Sequence, residues 1–354
     1  MTTRFSDIIR EKSKQNGEKK PSETIKTEEG FILSNSRVLK AYNPETSHYG
    51  RTDAEAQSYY LTFIDRAQET GHSVKDNRQI RPSQVLFDLN EVINRDKIDS
   101  IYAYAMSAEN DLEYIVTHTV DVTFTSLKIG KGMNYDLKMM LRLGLAAFFE
   151  NVGMYKIPED KLSIKGKLLT GEITLIRKHP ETSYELLSNL GERYAWLAEA
   201  ALGIHERADG SGYPSGLKQE EILEISSIIG LSDTYCALIR NRPYRDKLIN
   251  TEAIRFIIEE GRKKFSSRII RNFLDQISIF PVNTYVKLSN GSIGRVLSTN
   301  RRHPLSPVIE ILYNSGGSKL KNPFEIALAN DPLLYIDKSI DPDEVVPETD
   351  DPEL

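Results

Sequence analysis

From residue 111 to residue 278 the chain's apolar side chains recur at helical spacing and strand-like alternation is absent. Helix-length segments follow one another, separated by Gly, Pro or Asn. Each amphipathic segment must bury its stripe against another, so the stretch predicts a helical bundle. After Pro281 the period changes. Residues 284–288 and 293–298 read as strands joined at Asn290-Gly291, a dipeptide suited to the positive φ of a tight hairpin turn. Residues 308–313 give a third strand, ending at Gly316-Gly317. The fold class is therefore mainly α, with a small β module after the bundle.

The flanks divide the rest. Residues 8–30 are rich in Lys, Glu, Ser and Gln and cannot bury enough surface to offset ordering entropy, so 1–30 is assigned as a flexible tail. A small helical region is expected over 31–110, beginning near Phe31-Ile32-Leu33. Thr52 and Glu55 form a capping-box signature, followed by Ala56, Tyr59, Tyr60, Phe63, Ile64 and Ala67 at helical spacing, with Gly71 as the stop. A second helix follows Pro82, with Val85, Leu86, Leu89, Val92 and Ile93 on one face, and 98–106 forms a third. The bundle is assigned to 111–278, the β module to 279–336 and an acidic disordered tail to 337–354, where Pro342, Pro347 and Pro352 stand among the acids.

Charge and cysteine content narrow the function. The 354 residues hold 46 Lys or Arg and 51 Asp or Glu, a net charge of −5. Seven of those acids lie in residues 341–354, so the body is close to neutral, which argues against a general DNA or RNA binder. The single cysteine, Cys236, excludes an intrachain disulfide and a cysteine zinc cluster and fits a reducing compartment; it is expected in the core. No apolar run reaches the ~18 residues of a membrane helix, and Arg4, Asp7, Arg10, Glu11 and Lys12 open the chain without a signal segment. A cytoplasmic protein with no membrane insertion is expected. No Walker loop, Ser-His-Asp arrangement or dinucleotide fingerprint is present.

Six histidines are available, and His118, His179 and His205 lie in expected helices of the bundle, with Asp233 in a fourth. Histidine and carboxylate converging from separate helices is how bundles build metal sites. Taken alone, a helical histidine is more often a hydrogen-bonded structural residue. His48 and His72 read as surface residues and His303, beside Arg301-Arg302, as a loop residue.

The stretch His205-Glu206-Arg207-Ala208-Asp209-Gly210-Ser211-Gly212-Tyr213-Pro214 resembles the signature of the HD-GYP family, the bacterial cyclic di-GMP phosphodiesterases. Asp233-Thr234-Tyr235-Cys236-Ala237-Leu238, with Asn241-Arg242-Pro243-Tyr244-Arg245, resembles that family's closing segment. Lys165-Gly166-Lys167-Leu168 and Lys178-His179-Pro180 fall where the family has similar stretches. The resemblance covers near half the chain. It implies an HD-type helical bundle whose centre holds two or three iron or manganese ions.

Carried over residue by residue, the resemblance makes His118, His179, His205 and Asp233 metal ligands. The His-Asp pair that names the family falls at Glu150-Asn151, followed by Val152-Gly153-Met154, where the family's lysine has become Met154. Ile204 replaces the first of two adjacent histidines, and Tyr114 replaces a glutamate of trinuclear members. Glu150 can still ligate a hard cation. Asn151 cannot bridge two cations about 3.5–4 Å apart, because a neutral amide offers one weak oxygen where a carboxylate offers two anionic ones. Ile204 removes a nitrogen ligand. The expectation is one weakly held iron or manganese ion among His118, Glu150 and Asp233, or none.

On the nucleotide side the resemblance assigns phosphate contacts to Arg242 and Arg245, where guanidinium geometry suits bidentate contact, with a solvated helix end as the alternative. Tyr213 is placed near the dinucleotide or simply packs its loop. Arg207 and Asp209 are expected to shape that loop through an ion pair. The function implied is a catalytically impaired HD-GYP protein of cyclic di-GMP signalling, acting by binding nucleotide or partner proteins. The alternatives are an active phosphodiesterase with a reduced metal site, and a scaffold that binds no nucleotide.

Overall fold

A computed structural model describes residues 54–108, 112–162, 169–240, 248–300, 303 and 305–340. Three helices come first: α1 (Ala54–Lys75), α2 (Pro82–Asn94) and α3 (Ile98–Ser107). Proline at the start of α2 needs no amide partner there and presets the helical φ. Gly71 does not stop α1, which runs on to Lys75. A Cβ at Gly71 would lie 2.6 Å from the Tyr155 ring, so this glycine serves close packing against that ring. Thr52 of the expected capping box lies outside the described residues.

The centre of the bundle is α4 (Tyr114–Gly132), buried at every position from Ile115 to Gly130, including His118, Asp121 and Lys128. Such a helix must answer each polar group internally. Lys128 does so with Asp99 at 2.7 Å, and Thr123 by donating to the Thr119 carbonyl. Against it packs α5 (Leu137–Phe149), started by the Asp136 side chain accepting from the Met139 amide at 2.8 Å. The front helices join the same core: Phe63 meets Phe124 edge-on at 5.1 Å and Phe148 at 6.2 Å.

A turn at Val152–Lys156 leads to the short α6 (Glu159–Leu162) and α7 (Thr170–Ile176), then α8 (His179–Ser188) and α9 (Ala195–Leu202). The second long spine is α10 (Glu224–Ile239), followed by α11 (Asn250–Lys264) and α12 (Ser267–Gln276). Among the described residues no helix is long and apolar enough to cross a membrane.

The β module is one antiparallel sheet in the order β4-β3-β2-β1-β5. The three expected strands are β1 (Tyr285–Leu288), β2 (Ile293–Ser298) and β3 (Val308–Tyr313), and Gly291 sits at φ 86° in the hairpin turn. Two further strands close the edges, β4 (Lys319–Ala327) and β5 (Ile336–Ile340), so the sheet continues past residue 336. Pro323 is tolerated in β4 because an edge strand can leave one side unpaired.

Candidate metal and nucleotide site

Four segments of the bundle bring the candidate ligands together. The central α4 supplies His118, the end of α5 supplies Glu150 and Asn151, the first residue of α8 is His179, and α10 supplies Asp233. His205 follows α9 in the turn that opens the Gly-Tyr-Pro loop.

His118 Nε2 lies 2.8 Å from Asp233 Oδ1, and the Tyr114 hydroxyl lies 3.1 Å from His118 Nδ1 with the two rings stacked at 5.0 Å. The ligand atoms of His118, Glu150 and Asp233 all fall within 4.8 Å of one another. Glu150 is fully buried. Its Oε1 accepts from Asn151 Nδ2 at 3.0 Å, while Oε2 is buried without a hydrogen-bond partner. Burial, and next the charge of Asp233, push the Glu150 carboxyl well above the ordinary carboxylate range. An orphaned buried oxygen costs about 1–3 kcal/mol, so the position is held against its own preference.

The backbone around Glu150 is fixed by one serine and one glycine. Ser183 donates its hydroxyl to the Glu150 carbonyl at 2.8 Å and accepts from the Gly153 amide at 2.9 Å. A Cβ on Gly153 would lie 2.3 Å from the His179 carbonyl, so only glycine lets α8 approach this closely.

His179 and His205 form a second pair, Nε2 to Nε2 at 2.8 Å. His179 Nδ1 lies 2.7 Å from the Ile176 carbonyl, which can only accept, so Nδ1 carries the proton. Burial lowers the His179 pKa and favours the neutral ring. Its Nε2 then accepts, and His205 donates from Nε2. His205 Nδ1 is left 3.9 Å from Asp233 Oδ2, so Asp233 stands between the two groups.

Tyr213 lies flat on His205, centroids 4.8 Å apart and planes 8° from parallel, with the Arg177 guanidinium 5.1 Å over the tyrosine ring. Burial pushes the Tyr213 hydroxyl up to about 12. Glu206 holds the loop: nearly fully buried, it accepts from the Ser215 amide at 2.7 Å and the Leu217 amide at 2.9 Å. The expected Arg207–Asp209 ion pair is not what shapes this loop. Arg207 donates to the carbonyls of Ile204 and Glu206 and lies over Phe265, while Asp209 accepts from the Ser211 amide and hydroxyl. Backbone carbonyls take up the Arg207 donors, and Ser211 takes up the Asp209 carboxylate.

Ile204 is fully buried, and its carbonyl would sit 2.2 Å from a Cβ on Gly230, which marks the close passage of α10. Met154 lies half-buried in the turn after Asn151. Arg242 and Arg245 lie outside the described residues, as do residues 165–168. Cys236 is buried in α10, as expected of a core residue. Glu206 stood within the quoted motif without a role; the signal was an acid inside a turn whose glycines force backbone amides inward.

The donor set suits one hard cation. His118 brings a nitrogen, and Glu150 and Asp233 bring carboxylates, one with an unused oxygen. It does not suit two bridged cations, because Asn151 directs its amide nitrogen at Glu150 and carries no charge.

Comparison with known proteins agrees with this arrangement. Residues 103–269 match the HD domain family model, and residues 285–346 match that of a KOW domain associated with the HD domain. A cyclic di-GMP phosphodiesterase of Pseudomonas aeruginosa is 30% identical over 241 residues, 65% of this chain and 58% of that protein. The cyclic di-GMP phosphodiesterase PdeB of Borreliella burgdorferi is 28% identical over 297 residues, 82% of this chain and 76% of its own. An HDG"Y"P protein from Bdellovibrio bacteriovorus has a similar fold, with a TM-score of 0.51 at 15% identity over 65% of this chain and 74% of that one. The chain thus spans little more than half of the first relative and three quarters of the second. With a His-Glu-Asp cluster at the centre of its bundle and a Gly-Tyr-Pro loop stacked on His205, the chain has an HD domain followed by a KOW domain and is similar to HD-GYP proteins.

Proposed function

We propose that this chain binds cyclic di-GMP without efficient hydrolysis and acts in cyclic di-GMP signalling through that bound state. The observation that carries the reading is the pair Glu150-Asn151: a buried carboxylate with an orphaned oxygen beside a neutral amide where the family has His-Asp. His118, Glu150 and Asp233 would hold at most one loosely bound iron or manganese ion. Such an ion, when bound, polarises a phosphoryl oxygen. The chain's own groups do the rest of the binding. The Tyr213 ring, backed by His205 and Arg177, offers an aromatic face at the loop, and Arg242 and Arg245 supply charge for phosphate oxygens. His179 and His205 share the hydrogen bond between their Nε2 atoms, which leaves His205 Nδ1 facing Asp233 at 3.9 Å. Cytoplasmic placement and signalling proteins as partners belong to the same reading.

Relatives named as cyclic di-GMP phosphodiesterases support the choice of nucleotide. The test is calorimetry with cyclic di-GMP on the full chain, alongside a hydrolysis assay with iron or manganese and elemental analysis after anaerobic purification. Binding without turnover, lost in Arg242→Ala, with fewer than two ions per chain, is expected. Robust turnover by the unaltered chain supports an active enzyme with a reduced metal site and refutes impairment. No heat up to millimolar nucleotide favours the scaffold.

A further inference from the structure

Along α5, Leu137, Leu141 and the buried Leu145 follow one turn apart, and with Leu86 of α2 and Trp196 of α9 they line a groove of about 430 Å³. Leu137, at the edge of the groove, is 43% exposed. The rim is cationic: Lys138 and Arg142 on α5, and Arg193 beside α9. No carboxylate among the described residues pairs with any of the three. The Arg142 guanidinium lies 4.5 Å over the Trp196 ring, and its Nε is buried without a hydrogen-bond partner. An apolar floor, three cations and an unanswered donor together ask for an acidic segment with a few apolar side chains.

We propose that this groove seats the chain's own acidic C-terminal segment, residues 341–354. That segment carries seven Asp or Glu and no Lys or Arg, and offers Val345, Val346 and Leu354 to the leucine floor. The other end of the chain lacks the charge: residues 1–53 hold ten Lys or Arg against eight Asp or Glu. Fourteen extended residues span about 46–50 Å, a length comparable with the width of a fold of roughly 300 residues whose radius of gyration is about 19 Å.

Trp196 is the only tryptophan in the chain and lies in the groove, so its fluorescence reports on this surface alone. The experiment measures acrylamide quenching and emission position in the full chain. They are compared in a variant whose seven tail acids become amides (Asp341→Asn, Asp343→Asn, Glu344→Gln, Glu348→Gln, Asp350→Asn, Asp351→Asn, Glu353→Gln). The expected result is easier quenching and a red-shifted emission in the amide variant. The double variant Lys138→Glu/Arg193→Glu, at two exposed positions, should show the same change. Salt at 1 M should reproduce it, since screening over about 3 Å removes the attraction between exposed charges. Identical quenching in the full chain and the amide variant overturns the proposal. So does protection of Trp196 that disappears on dilution, because the occupant is then a second copy.

Discussion

Arg240 is where the bundle's electrostatics are most exposed to a single substitution. The Asp121 carboxylate is fully buried on α4, and Arg240, at the end of α10, gives it two hydrogen bonds, at 2.8 and 3.3 Å. The same guanidinium donates to the Ala108 carbonyl at 3.0 Å and to the Ala105 carbonyl at the end of α3. It therefore ties the helix of His118 to the helix of Asp233. Even with Arg240 in place, burial raises the Asp121 pKa. Arg240→Ala removes the opposing charge, so burial alone acts on Asp121 and raises its folded pKa further above the unfolded one. Removing one partner of a buried ion pair costs about 3–5 kcal/mol, the loss expected here at pH 7. The unfolded state holds fewer protons than the folded one above pH 4, so the penalty grows with pH and shrinks toward pH 4. Urea unfolding of both proteins across pH 4–8 measures it. Asp121→Asn/Arg240→Ala should recover most of the loss at pH 7, because no buried charge remains. A penalty that stays the same from pH 4 to pH 8 refutes the electrostatic account.

Two glycines separate packing from propensity: Gly153→Ala should cost about 1–3 kcal/mol or more by overlap with the His179 carbonyl. Gly171→Ala, with nothing within 4 Å of the added methyl in α7, should stabilise by up to about 1 kcal/mol, both read by thermal unfolding. Glu206→Ala strands the Ser215 and Leu217 amides and should lower stability by about 1–3 kcal/mol while weakening cyclic di-GMP binding in calorimetry, as Tyr213 loses its fixed place on His205. The joint variant Glu150→His/Asn151→Asp/Ile204→His/Met154→Lys should gain metal by elemental analysis and some hydrolysis of cyclic di-GMP. A folded variant that gains neither refutes the ligand assignment, and single reversions are expected to be silent because ligands of one cluster act together.

The helical bundle was legible because its periodicity is long and its breaks are marked by Gly, Pro and Asn. The hairpin at Asn290-Gly291 was legible because few other dipeptides accept that turn. Strands β4 and β5 were not, since an edge strand needs only one apolar face: Lys-Leu-Lys-Asn-Pro and Ile-Asp-Lys-Ser-Ile show no alternation strong enough to stand out. Gly71 misled for a related reason. A glycine's sequence context does not say whether it ends a helix or admits a neighbour's ring, and here the ring of Tyr155 arrives from far along the chain. The cluster of His118, Glu150 and Asp233 followed from the motif, but three distances did not: His179 against His205, Glu206 beneath its loop, and Asn151 turned onto Glu150. The first depends on how closely neighbouring segments pass at Gly153 and Gly230, while the other two are local contacts, one within a loop and one between adjacent residues.

The pair Glu150-Asn151 has a charge logic that bears on why a site so altered still folds. A His-Asp pair and a Glu-Asn pair both carry one negative charge, so the substitution moves the carboxylate by one residue without changing the total. Glu150 and Asp233 then sum to −2, the same total as with the family's pair, and a single divalent cation neutralises it. With no cation, the same two carboxylates oppose each other, and Glu150 takes up a proton because it is the more deeply buried and Asp233 has His118 at 2.8 Å. The centre is therefore neutral with one divalent ion and keeps one negative charge when a proton sits on Glu150 instead. A bundle with that choice can keep its helices and its Gly-Tyr-Pro loop in place with either occupant.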